Sequence, residues 1–176
     1  MRPDIDTRLT TDRLVLRPFE VADAERVVAI QANWQVARML RLAPWPVTLE
    51  ATRVWLADHR REWLEGSAFR FAIERAGRVI GCADLNEIAG GRGDLGYWLD
   101  EAEWGCGLAT EAGAAVVRFA FDAIGLEGIV SGHASDNIGS GKVLEKLGFL
   151  PAGEIELWSI PRGGTITQKR YRLDRA

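Results

Sequence analysis

Tyr97-Trp98-Leu99 passes through Asp100-Glu101-Ala102-Glu103 into Trp104-Gly105-Cys106-Gly107-Leu108-Ala109-Thr110, where the clearest helical pattern of the chain begins. Ala109, Gly113, Val116, Val117, Ala120 and Ile124 recur at helical spacing, which predicts a helix over 107–124. A strand joined to a helix through small residues restricts the fold to one in which that helix packs back on its sheet. Small residues at 105, 107 and 109 also let backbone come close to a bulky anion. The free amides of a first helical turn, at the positive end of the dipole, bind phosphate oxygens without any basic side chain. A tight turn with close strand–helix packing needs the same residues, so this segment alone leaves both readings open.

Three phosphate sites compete. A dinucleotide turn requires a third glycine where Thr110 stands, although Glu127 lies about where a ribose-binding acid would be. A P-loop at Gly139-Ser140-Gly141-Lys142 fails, because Asp136 replaces its first glycine and Val143 follows the lysine. The third candidate is the pyrophosphate of coenzyme A.

The remaining elements are coarser. Leu14–Pro18 is predicted as the first strand, Asp23 as the cap of a helix to about Gln31, and Thr48 as the cap of a second helix through Trp63. The inward stripe expected on that second helix is Ala51, Val54, Trp55 and Trp63. Strands follow at Phe69–Glu74, Arg78–Asn86, Asp94–Leu99 and Gly128–Ala134. Asn137 or Ser140 opens a short helix closed by Gly148, and Ile155–Ile160 with Thr165–Leu173 form a hairpin. The result is a mixed sheet with helices on both faces.

A chain of 176 residues suits a single domain spanning 1–176. Its net charge of −3 argues against a nucleic-acid partner, whose footprint is a basic patch. No apolar run approaches the ~20 residues of a membrane helix, and the charged start lacks a secretory signal, so the expected location is the cytoplasm. Cys82, Cys106, His59 and His133 form no metal-ligand cluster, and no metal is expected.

WGCGLATEA, preceded by DLGYWLDEAE, resembles the acyl-CoA-binding motif of the GNAT superfamily of N-acetyltransferases. DNIGSGKVLEKLGF resembles the segment that follows it in the RimJ/RimL branch, and LTTDRLVLRPFEVADAE resembles that branch's amino-terminal signature. The three lie in the expected order and cover about residues 9–173. Trp104 stands where the wider superfamily has glutamine or arginine, as is usual in this branch. Gly141 stands where the branch more often has alanine.

The resemblance implies an α/β (α+β) fold. Its six- to seven-stranded, mostly antiparallel sheet splays between strands four and five to admit the pantetheine arm. The implied reaction is direct attack of a primary amine on acetyl-CoA in a ternary complex, with a non-catalytic acyl-CoA sensor as the alternative. The implied cofactor contacts are Trp98 and Leu99 at the thioester and Trp104, Gly105, Cys106, Gly107, Leu108, Ala109 and Thr110 at the pyrophosphate. Asn137, Ser140 and Lys142 follow on the next helix. Ser140 is the candidate acid for the leaving thiolate. Asp94 is the candidate base, with Glu87 and His133 behind it. Trp34 and Trp45 are expected as aromatic walls of the acceptor cleft. The acceptor is a protein amino terminus or a small amine, and the branch admits a homodimer.

An ordinary lysine amine, with pKa about 10.4, is under ~0.1% free at pH 7, a cost of about 4.6 kcal/mol. An α-amine, with pKa about 7.8, is ~10% free, at about 1.1 kcal/mol. A site without an unmistakable base therefore favours the α-amine.

Overall fold

The computed structural model describes residues 3–175. Its strands are β1 (Leu9–Thr10), β2 (Val15–Pro18), β3 (Phe69–Arg75), β4 (Arg78–Ala89), β5 (Arg92–Leu99), β6 (Gly128–Ala134), β7 (Leu150–Ser159) and β8 (Gly164–Asp174). They form one sheet in the order β1-β2-β3-β4-β5-β6-β8-β7. Only β5 and β6 run parallel; all other neighbours are antiparallel. The helices are α1 (Ala24–Gln31), α2 (Trp34–Ala37), α3 (Leu49–Glu65), α4 (Leu108–Phe119) and α5 (Ile138–Lys146).

The mixed, mostly antiparallel sheet agrees with expectation, but it has eight strands rather than six or seven. The additional strand is β1, whose two residues pair with Val15 and Leu16 and are too few to display alternation. The splay therefore lies between the fifth and sixth strands.

One face of the sheet packs on α4. Phe69, Phe71, Leu85 and Leu95 meet Leu108, Ala112, Val116 and Phe119 in a continuous buried cluster. Burying such side chains contributes about 1.5–3 kcal/mol each, the main favourable term in this fold. Trp63 of α3 closes the cluster, with its ring 4.9 Å from that of Phe69 and 5.3 Å from that of Phe71. The opposite face carries Arg70, Asp84 and Asn86, and Glu62 of α3 reaches across to Arg70 at 2.7 Å.

Two helix expectations need correction. Asp23 stands at the N-cap of α1, but its side chain makes no capping bond to the helix. Its carboxylate accepts from the Glu20 amide at 2.8 Å and from Arg17 at 2.9 Å, closing the short turn before the helix. The buried stripe of α3 is Thr52, Leu56, His59 and Trp63, whereas Val54 is 63% exposed. The apolar pattern misled because two polar residues face inward. Thr52 satisfies its hydroxyl on Thr48 O at 2.9 Å. His59 packs its ring between Trp55 and Phe19 with no protein partner for either nitrogen. Burial pushes the His59 pKa down to about 4.

Candidate functional site

The parallel pairing of β5 with β6 spans only four registers, from Arg92↔Gly128 to Leu95↔Ser131. Beyond them the strands part. At the fork, Ser131 Oγ donates to Leu95 O at 2.7 Å. Gly96 and Gly132 are the first residues past it, and a side chain at either would displace a neighbouring one. A Cβ on Gly96 would lie 2.5 Å from Asp84 Oδ1, and one on Gly132 would lie 2.8 Å from Gln168 Cδ. The fork opens into a cavity of about 560 Å³, walled by Trp98 and Leu99 on one side and Gly132 and His133 on the other.

The glycine loop forms the outer end of this cavity. After β5, Asp100 accepts from the Ala102 amide, a short 3₁₀ turn follows, and the Trp104 indole donates back to Leu99 O at 3.1 Å. Gly105 and Gly107 have φ of 76° and 78°, a left-handed conformation that costs other residues roughly 1–2 kcal/mol. Around a Gly105 Cβ nothing lies within 4 Å, so conformation rather than space demands glycine there. Gly107 caps α4 without a side chain, and the first bond of the helix is Glu111 N–H to Gly107 O at 3.1 Å. Among the described residues, nothing accepts from the amides of residues 108–110. They are open to an anion.

Arg13 holds this loop from the amino-terminal segment. Its guanidinium donates to Cys106 O at 2.9 Å and to Glu111 at 2.7 Å, while its own amide and the Thr11 hydroxyl bind the other Glu111 oxygen. Burial alone would raise the Glu111 pKa. The bonds from Thr11 and Arg13 outweigh burial and hold it below the usual carboxylate range. The pairing also offsets the negative charge in the first turn of α4. Sequence reasoning missed Thr11, Arg13 and Glu111. Their signal was the LTTDRL segment, whose partner lies about 100 positions away.

On the other wall, Asn137 caps α5 by accepting the Ser140 amide at 3.2 Å. Ser140 Oγ lies 2.7 Å from the Tyr97 hydroxyl across the cleft, and Tyr97 is also 3.0 Å from Ser140 O. Gly141 is explained by His133, since a Cβ there would sit 2.9 Å from His133 Nε2. His133 Nδ1–H donates to Ala134 O at 2.8 Å, and Nε2 lies 3.4 Å from the Tyr171 hydroxyl.

A strap over the cleft contributes Val36, Met39 and Leu40. Its amino-terminal side is tied to Glu101 through Asn33. Its other side is tied to Asp136, which binds Arg38 at 2.6 Å and Arg162 at 2.9 Å. The Arg162 bonds lead in lowering the Asp136 pKa.

The residues expected at the site divide in two. Trp98, Leu99, Trp104, Gly105, Gly107, Leu108, Ala109, Thr110, Asn137, Ser140 and Lys142 all line the cavity. Cys106, Asp94, Glu87, Trp34 and Trp45 are not among its lining residues. Cys106 turns its sulfur toward Trp104 O. Asp94 is held by Arg170 at 3.0 Å, and burial raises its pKa against that pairing. Glu87 is exposed at a β4 irregularity with φ of 51°. Trp34 and Trp45 pack on one another, with ring centroids 5.1 Å apart. Among the described residues, no group of three or more His, Cys, Asp or Glu side chains could hold a metal ion. No described helix is long and apolar enough to cross a membrane.

A model of the acetyltransferase (GNAT) domain matches residues 13–150. The chain is 33% identical over 149 residues to "Probable N-acetyltransferase YjcK" of Bacillus subtilis, covering 80% of this chain and 82% of that protein. It is 30% identical over 160 residues to a ribosomal-protein alanine N-acetyltransferase of Escherichia coli, covering 83% of this chain and 79% of the other. RimJ of Mycobacterium smegmatis, solved with a coenzyme A disulfide, superposes with a TM-score of 0.86 at 21% identity, over 99% of this chain and 90% of that one. RimL, a ribosomal α-N-protein acetyltransferase solved with coenzyme A, superposes with a TM-score of 0.85 at 20% identity, over 96% and 98%.

Proposed function

The chain belongs to the GNAT acetyltransferase family, and from that premise we propose that it transfers an acetyl group from acetyl-CoA to an α-amine. The observation that carries this reading is the row of unclaimed amides at the start of α4, opening on a slot that runs to the β5–β6 fork. Acetyl-CoA, when bound, supplies an activated thioester with a thiolate leaving group. Its fit rests on two features of this chain: amides free for a pyrophosphate, and strand edges free for an extended arm.

In this reading the amides of Leu108, Ala109 and Thr110 hold the pyrophosphate, and the loop from Trp104 to Gly107 shapes the approach. Main chain at Trp98 and Leu99 faces the thioester oxygen, where a donor stabilises developing negative charge. Ser140 provides the hydroxyl for the leaving sulfur. Asn137 sets the helix start that carries Ser140, and Lys142 lies beside the outer cavity.

The carboxylates lining the cavity are already engaged, Glu103 by Arg75 and Asp136 by two arginines. Asp94 stands one residue short of the fork with Arg170 on its carboxylate. These engagements favour an acceptor that arrives partly deprotonated, such as the amino terminus of a protein or a small amine of low pKa. The proton then passes to solvent, with no direct contact assigned to Asp94. Attack is direct, within a ternary complex. The Escherichia coli relative, named for an alanine amino group, supports the same acceptor class.

Binding and transfer test this separately. Acetyl-CoA at ~100 times Kd is expected to stabilise the fold by about 2.7 kcal/mol, seen as a rise in Tm. Peptides with a free α-amine are expected to be acetylated, and amino-blocked peptides bearing lysine are not. Binding without transfer to any amine would convert the reading to a sensor of the same fold. Absence of binding at millimolar acetyl-CoA would remove it.

A further inference from the structure

Tyr97 and Ser140 come from opposite walls of the cleft, one from β5 and the other from α5, and meet at 2.7 Å. The tyrosine hydroxyl has one hydrogen and two acceptors within reach, Ser140 Oγ at 2.7 Å and Ser140 O at 3.0 Å. Two arrangements follow. If Tyr97 donates to the Ser140 carbonyl, the Ser140 hydroxyl donates to Tyr97 and its hydrogen is spent within the protein. If Tyr97 donates to Ser140 Oγ, the serine hydrogen is released toward the cavity that both residues line.

We infer that Tyr97 is a positioning residue whose hydroxyl turns the Ser140 hydrogen toward the sulfur of bound coenzyme A. The inference rests on the reading that the cleft holds coenzyme A with its sulfur near Ser140. A sulfur carrying negative charge selects the second arrangement, because a hydrogen bond to a charged acceptor outweighs one to a neutral oxygen. Tyr97 itself never loses its proton, and burial, which pushes its pKa up to about 12, keeps the phenol neutral throughout. The Ser140 amide is held by Asn137, which anchors the backbone beneath the hydroxyl.

The experiment measures the thiol pKa of bound coenzyme A by thiolate absorbance in four proteins: wild type, Tyr97→Phe, Ser140→Ala and the double variant. Thermal melts and turnover with an accepted amine accompany it. Wild type is expected to lower the bound thiol pKa relative to free coenzyme A. Both single variants are expected to lose about half a unit to one unit of that shift, the size of one hydrogen bond. The double variant is expected to lose no more than Ser140→Ala alone. Tyr97→Phe should reduce kcat about tenfold, leave the KM for acetyl-CoA within about threefold and lower Tm by no more than about 2–4 °C, the size of one lost hydrogen bond.

A wild-type thiol pKa in Tyr97→Phe overturns the inference. So does a further loss in the double variant, which would give Tyr97 an effect independent of Ser140. An unchanged thiol pKa in Ser140→Ala removes the serine as donor and the inference with it, while leaving cofactor binding in place. Failure of wild type to bind coenzyme A overturns the underlying reading as well, and is told apart by the binding measurement alone.

Discussion

Helices α4 and α5 both begin at the cleft, and they begin in opposite ways. The cap of α4 is Gly107, with left-handed backbone and no side chain, so the amides after it face the cavity bare. The cap of α5 is Asn137, whose side chain claims the Ser140 amide. A helix start receives an anion only while its amides are unclaimed. In the proposed reading the first start is therefore the receptor for charge. The second has its Ser140 amide claimed by the cap, and what that residue offers the cavity is a hydroxyl. One residue at each cap makes the difference.

The largest test of this contrast is the double substitution Gly105→Ala with Gly107→Ala. Left-handed alanines cost roughly 1–2 kcal/mol each, so the loop should abandon its conformation and coenzyme A affinity should fall about 30- to 1000-fold. Calorimetric titration showing affinity within threefold of wild type, on a folded variant, would break the contrast.

Acid separates both helix starts from the rest of the fold. Glu111 and Asp136 have lowered pKa values and stay ionised at pH 5. His59 behaves differently. Its folded pKa of about 4 lies below the ordinary 6.5, so the unfolded chain binds more protons between those values and stability falls as pH drops through that window. Between pH 7 and pH 5 the loss is about 2 kcal/mol. Urea denaturation of His59→Phe should show most of that loss gone. An equal loss in the variant would assign the acid sensitivity elsewhere.

Smaller effects sharpen the comparison at each cap. Arg13→Ala removes the guanidinium that holds Cys106 O and Glu111. Arg13 is 44% exposed, so the expected penalty is discounted to about 1 kcal/mol, read as roughly fivefold weaker coenzyme A binding. Asn137→Ala should cost about 1 kcal/mol of stability and lower Tm by about 2–4 °C. Tighter anion binding in that variant would mean that α5, once uncapped, becomes a second receptor.

What could be read from sequence follows the range of the interactions involved. The glycine turn, the strand before it, the helix after it and the Asn137 cap are local patterns, written within a few residues of one another. The grip of Arg13 on Glu111 joins segments 98 residues apart, and nothing near either residue announces the other. The pairing of Tyr97 with Ser140 spans 43 positions and escaped notice for the same reason. Side-chain type misled where polar residues are buried, as with Thr52 and His59 on α3. Trp34 and Trp45 are expected as walls because the resemblance puts the amino-terminal helices and their connector over the acceptor cleft. In the fold the two rings pack on one another and stay exposed, and the residues of this segment that line the cavity are Val36, Met39 and Leu40.

The bond from Ser131 to Leu95 marks the last rung of the β5–β6 ladder. Strand residues rise about 3.3 Å apiece, so losing that rung would deepen the slot by about two carbon–carbon bonds, and gaining one would shorten it as much. The reach of the pocket is thus counted in rungs, and its length is set by a serine that need never touch what fills it.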